Sequence, residues 1–276
     1  MLRRFLSTLF AVSLCLKALA VTTEELREAC PGAKVIAGEG WDQDPMIIAH
    51  GYGMDDSLTD IVSSSGLTPH HLVGFNFPDY GHDIDVTRPD KLCFGTIKEL
   101  APLINLMRAC VLEAGAKRLH VYGFSAGGGA VVNALGVLCQ HRFCNELNLN
   151  PEEMDNIIEA VERGSVLLDC PLKSIDEICD VVEKTNPHLR YIADIYIAWG
   201  MRPIDSLLKL EGHAFDLYLH FENPDVILSN RDDMFYIDNL ERGNYLGRNT
   251  IVLGYLGLHL PCLPDFVCTY QRLHAR

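Results

Sequence analysis

Short apolar runs recur along the chain, each closed by glycine, proline or a polar turn. "KVIAGEG" and "PMIIAHGYG" read as brief strands ending in glycines, and "HHLVGFNFPDYG" as another run ending in a turn. "RLHVYGFS", "GSVLLDCP", "FDLYLHFEN" and "RNTIVLGYLGLHLP" read as the strands that follow. Between them lie stretches of helical spacing. "MDDSLTDIVSSSG" predicts a helix with Asp55 or Asp56 as candidate caps. In "GTIKELAPLINLMRACVLEAG" the residues Ile97, Leu100, Leu103, Ile104, Met107 and Val111 share one face, and Gly115 marks the end. "AGGGAVVNALGVL" is a helix that follows a strand directly, and two more helical stretches separate "GSVLLDCP" from "FDLYLHFEN". Strands that stay apolar without alternation are buried on both faces, so the pattern predicts an α/β class: a mostly parallel sheet with helices on both sides.

In such sheets, sites form at the carboxyl ends of the strands. His50-Gly51, Ser125, Asp225 and His259 each fall just after a predicted strand. Ser125 stands in Gly-x-Ser-x-Gly, between a strand and a helix. That context suits a nucleophile on a strained turn, where Gly123 and Gly127 let strand and helix approach closely. A serine hydroxyl needs a base, and the base needs an orienting acid. His259 in "GYLGLHLP" is the preferred base; His274 is a rival by order, and His213 and His220 precede the acid. Asp225 in "LHFENPDVIL" is the preferred acid, with Asp169 at the end of "SVLLD" as the competitor. The backbone N–H groups of Ala126 and Tyr52 are the candidate oxyanion donors, and His50 reads as a structural turn residue.

Taken in order, "HGYG", "FNFPDYGHD", "GFSAGG", "NPDVI" and "GLHLP" resemble the oxyanion loop, the next strand turn, the nucleophile elbow, the acid turn and the histidine loop of the α/β-hydrolase superfamily. The resemblance spans roughly residues 35 to 265. It implies an eight-stranded, mostly parallel sheet, a Ser-His-Asp triad and neither metal nor organic cofactor. Residues 172–212 fall where relatives often carry a lid. Here "RYIADIYIAWGM" is apolar enough to line an acyl pocket, and the short segment predicts a small cap over an open site.

Composition adds the setting. The chain has 276 residues and a formal net charge of −14, with a pI near 5.1, which argues against nucleic acid or an anionic membrane as a partner held by charge. "MLRRFLSTLFAVSLCLKALA" has the basic, apolar, small-x-small order of a secretory leader cut after Ala20, too short to span a bilayer. That predicts export to the periplasm or beyond the cell, and a hydrolase domain over residues 21–276. No other segment is a candidate integral membrane span. Ten cysteines agree with an oxidising compartment; losing Cys15 with the leader leaves nine, an odd number. Cys139/Cys144, Cys170/Cys179 and Cys262/Cys268 lie close enough in sequence to close short loops. No C-x-x-C pair exists, so no metal site is expected. Asp232 and Asp233, and "HDID" around His82, read as a helix start and a solvated turn rather than cation sites. The expected substrate is a small-molecule acyl ester or thioester. A peptidase or amidase, or a silent hydrolase fold used for binding, are the alternatives.

Overall fold

In the computed structural model of the 276-residue chain, residues 21–39, 44–51, 54–65, 70–78, 95–171, 201–210, 212–221 and 249–255 are described. The predicted apolar runs become β1 (Lys34–Ile36), β2 (Pro45–Ala49), β3 (His71–Gly74), β4 (His120–Phe124), β5 (Val166–Asp169), β6 (Asp216–Phe221) and β7 (Asn249–Tyr255). They form one seven-stranded sheet in the order β1-β3-β2-β4-β5-β6-β7. β1 runs antiparallel to β3, and all other neighbours are parallel. The α/β class is as the pattern predicts. The eighth strand implied by the resemblance is not among the described residues.

Alternation along the strands sorts the core into two layers. Ile47, Ala49, Val73, Val121, Val166 and Leu168 turn to one face, under α1 (Thr23–Ala29), α3 (Ile97–Arg108), α4 (Ala126–Leu138) and α6 (Pro151–Arg163). Met46, Ile48, Leu72, Tyr122, Phe124 and Leu167 turn to the other, where Leu58 and Val62 of α2 (Leu58–Ser64) cover them. α5 (Cys144–Leu147) and α7 (Pro203–Leu207) complete the described helices.

Local signals explain where the helices start. α1 and α6 each open with a reciprocal cap: Thr22 Oγ1 accepts from the Glu25 N–H at 3.2 Å, and Asn150 Oδ1 from the Glu153 N–H at 2.9 Å. In α2 the cap is Ser57, not Asp55 or Asp56. Asp55 instead accepts from the Ser57 N–H at 2.9 Å, an Asx turn that leads into the helix. α3 runs on into a π-helical turn over Ala109–Glu113 and stops at Gly115, whose φ of 80° suits glycine. None of the helices among the described residues is long and apolar enough to cross a membrane.

The register then sets the position of the site. Ala49 lies opposite Gly123 and Phe124 opposite Asp169, so the chain leaves β2, β4 and β5 side by side at one edge. β6 and β7 extend the parallel series to the same edge.

Candidate active site

Ser125 is the residue between β4 and α4, with φ 52° and ψ −120°. A non-glycine residue held there carries strain of roughly 1–3 kcal/mol, kept only where the surroundings fix it. Three things fix it. The Ser125 N–H donates to the Asp169 carbonyl at 2.9 Å, and the Ser125 carbonyl accepts from the Gly129 N–H at 3.2 Å. Glycines fill the remaining shell. A Cβ on Gly123 would lie 2.7 Å from the Gly128 Cα, and one on Gly127 would lie 2.3 Å from the Ala49 carbonyl oxygen. Gly51 is less tightly held, since its Cβ would meet the Phe124 ring at 3.0 Å and the Ser125 Cβ at 3.2 Å.

The turn delivers Ser125 to the N-terminus of α4, and its side chain makes no bond to the helix's own amides. The first N–H groups of a helix have no partner within it, and the dipole there favours negative charge. Ala126, the first residue of α4, supplies one of those amides. A hydroxyl raised on a strained turn beside such donors suits attack on a carbonyl whose oxygen becomes an anion.

His50, next along the edge, is built into the fold instead. Its Nδ1–H donates to the Gly51 carbonyl at 2.9 Å, and its Nε2 accepts from the Phe77 N–H at 3.2 Å. Phe77 meets the imidazole edge-on at 5.2 Å. Burial holds its pKa below the ordinary histidine value, against the pull of the Gly51 bond. Both ring nitrogens are engaged and the ring is neutral, so His50 is the structural turn residue that its place suggested.

Asp169 closes β5 beside the elbow and is fully buried. The Tyr122 hydroxyl donates to Oδ2 at 2.7 Å, and the Cys170 thiol faces Oδ1 at 3.6 Å. Tyr122 is the residue that sequence reasoning missed. Its signal was a hydroxyl in an otherwise apolar strand, on the same strand face as Phe124. Of the other expected site residues, Tyr52, Asp225, His259 and His274 lie outside the described residues. His213 sits before β6, at the opposite end of the sheet from Ser125, with Nδ1 3.0 Å from Glu162 Oε1. Among the described residues, no group of three or more His, Cys, Asp or Glu is placed to hold a metal.

No protein-family model matches the sequence, and no curated protein matches it. Solved structures do. Esterase B from Lactobacillus rhamnosis is 10% identical, with a TM-score of 0.57 over 99% of this chain and 94% of its own. Acyl-protein thioesterase 2 from Zea mays is 12% identical, with a TM-score of 0.54 over 88% of this chain and 99% of its own. An esterase from Pyrococcus furiosus is 12% identical, with a TM-score of 0.52 over 90% of each chain. The chain has the α/β-hydrolase fold.

In this hydrolase fold the segment 172–212 joins β5 to β6. Residues 172–200 lie outside the described residues, including Ile192, Ile195, Tyr196 and Trp199. From Met201 onward the chain is fastened along α4. Ser206 Oγ donates to Asn133 Oδ1 at 2.6 Å, Asn133 Nδ2 donates to the Met201 carbonyl at 3.0 Å, and Gly136 is bare where Ser206 packs. α7 therefore braces α4, the helix that carries the elbow.

Proposed function

We propose that the chain is an exported serine hydrolase that cleaves a carboxylic ester or thioester of a small molecule through an acyl-enzyme intermediate. The observation that carries this reading is Ser125 itself: φ 52°, locked among glycines, at the start of a helix at the carboxyl edge of a parallel sheet. The esterases and the acyl-protein thioesterase of the same fold agree with it.

On this reading Ser125 Oγ attacks the acyl carbon while His259 takes its proton and Asp225 orients the imidazole. The N–H groups of Ala126 and Tyr52 receive the oxyanion, each worth roughly 2.7–4 kcal/mol of barrier. Collapse expels the alcohol or thiol with a proton from His259, and water then releases the acid by the same steps in reverse. Asp225 and His259 follow β6 and β7 in the chain, and both strands run parallel to β4. Asp169 is the alternative acid; its Tyr122 and Cys170 contacts favour a structural part. The chemistry needs no metal or organic cofactor.

Turnover of p-nitrophenyl esters from acetyl to palmitoyl, beside a matched acetyl anilide, tests the reading. The expected result is ester hydrolysis favouring short and medium chains, with the anilide at least a hundredfold slower. Equal anilide turnover would make the chain an amidase or peptidase, and no turnover of a folded protein would leave a binding role. Export from residues 1–20 is tested separately: the exported chain should begin at Val21, and an intact Met1 on it would contradict the leader.

A further inference from the structure

All five cysteines among the described residues, Cys30, Cys110, Cys139, Cys144 and Cys170, stand as thiols. The Cys144 thiol points at Met154 Sδ at 3.4 Å, the Cys170 thiol at Asp169, and burial pushes the Cys139 thiol up to about 12, an inert group. Of the pairs suggested by spacing, Cys139 and Cys144 stand as separate thiols, while Cys179, Cys262 and Cys268 lie outside the described residues. The fold brings Cys30 and Cys110 together across 80 residues of sequence, with their Sγ atoms 3.9 Å apart in a buried contact.

We propose that Cys30 and Cys110 form a disulfide that fastens the N-terminal helix to the end of α3. Both backbones are already fixed for it. Cys30 closes α1, its N–H bonded to the Leu26 carbonyl and its own carbonyl accepting from the Ala33 N–H at 3.1 Å. Cys110 lies in the π-helical turn, its carbonyl accepting from the Ala116 N–H at 2.9 Å. Forming the bond brings the two sulfurs from 3.9 Å to ~2.05 Å.

The two sulfurs also differ in readiness. The contact with Cys110 holds the Cys30 pKa below the ordinary thiol value, against burial and the nearby Glu113 carboxylate. The Cys110 thiol is itself pushed well up by that contact and by burial. Cys30 is therefore the attacking thiolate. It displaces one thiolate from an external disulfide such as oxidised glutathione and forms a mixed disulfide. Cys110 then loses its proton, attacks the Cys30 sulfur and expels the second thiol. Two protein thiols are oxidised and one small disulfide is reduced to two thiols. The closed loop contains β1, β2, β3, α2 and α3, three of the seven strands, together with Gly51. The staple rests on this contact, and depends neither on the hydrolase reading nor on export.

The full chain, reduced and then equilibrated with glutathione at stepped ratios of disulfide to thiol, is quenched in acid, alkylated and digested with trypsin. The expected product is the peptide EACPGAK joined to ACVLEAGAK, two hydrogens lighter than the sum of the two free peptides. Alkylated Cys30 and Cys110 at every ratio, or either one joined to another cysteine, would overturn the proposal. A second readout is thermal. Reduction should lower the Tm of the oxidised chain by roughly 5–10 °C more than it lowers that of the C30A/C110A double variant. Equal falls would also overturn it.

Discussion

At the amino end of the sheet, His120 Nδ1 lies 2.7 Å from Ser165 Oγ, the His120 ring lies tilted with its centroid 4.1 Å from that of His70, and Asp44 pairs with Arg118 at 3.4 Å. His71 accepts from the Gly38 N–H at 3.1 Å. At the carboxyl end the described residues include Ser125, His50 and Asp169, also buried. What separates the two ends is the backbone. The amino end gathers buried polar groups around ordinary strand starts. The carboxyl end has a serine forced to positive φ and packed between residues that cannot carry a Cβ. We therefore place the proposed chemistry by backbone strain at a helix start rather than by abundance of histidine.

The sharpest division should come from the two aspartates. Asp225→Asn should lower kcat by roughly ten-thousandfold, the scale for spoiling the acid of a triad, with the melting temperature nearly unchanged. Asp169→Asn should do the reverse, costing about 1–3 kcal/mol by urea unfolding as the Tyr122 bond weakens, with kcat within a few-fold. If Asp169→Asn alone abolishes turnover, the acid is Asp169 and its contact with Tyr122 is part of the catalytic machinery.

Next in size is the glycine packing. Gly127→Ala drives a Cβ against the Ala49 and His50 carbonyl oxygens at 2.3 and 2.5 Å, backbone atoms with no rotamer to yield. Overpacking of that kind should cost about 1–3 kcal/mol and remove activity as the elbow shifts. Gly115→Ala meets nothing within 4 Å and bears only its φ of 80°. It should cost about 1–2 kcal/mol and leave kcat intact. Loss of activity in both, at matched stability, would mean the elbow is not specially constrained.

Smallest is the titration of the amino end. Burial holds His71 below the ordinary histidine pKa. The folded state then resists protonation while the unfolded chain accepts it near pH 6.5. Stability is full above that value and falls as pH drops below it, toward the lowered folded pKa. The urea midpoint of His71→Asn, whose Oδ1 can still accept from Gly38, should change less between pH 7 and 5 than that of the parent. An unchanged slope would remove His71 from the account.

Much of this was legible in the chain. Unbroken apolar runs announce buried parallel strands, and the spacing of Gly123, Ser125 and Gly127 announces the elbow, because only that backbone requires both glycines. α1 and α6 were less visible by apolar pattern, yet Thr22/Glu25 and Asn150/Glu153 are start signals that the caps confirm. The direction of β1 was not legible, since a three-residue run fixes no pairing sense. Nor was the Cys30–Cys110 contact, which depends on how α1 docks rather than on spacing. Asp169 shows the subtler limit: sequence places a carboxylate at the right edge, while its partner, Tyr122, emerges only when β4 and β5 are aligned.

The central claim is that Ser125 is an activated nucleophile. The most direct test is the intact mass of the folded chain after exposure to a fluorophosphonate, beside the Ser125→Ala variant. The account predicts one adduct on the parent, mapped to Ser125, and none on the variant. A folded parent that takes no adduct, or a variant that takes the same one, would contradict it.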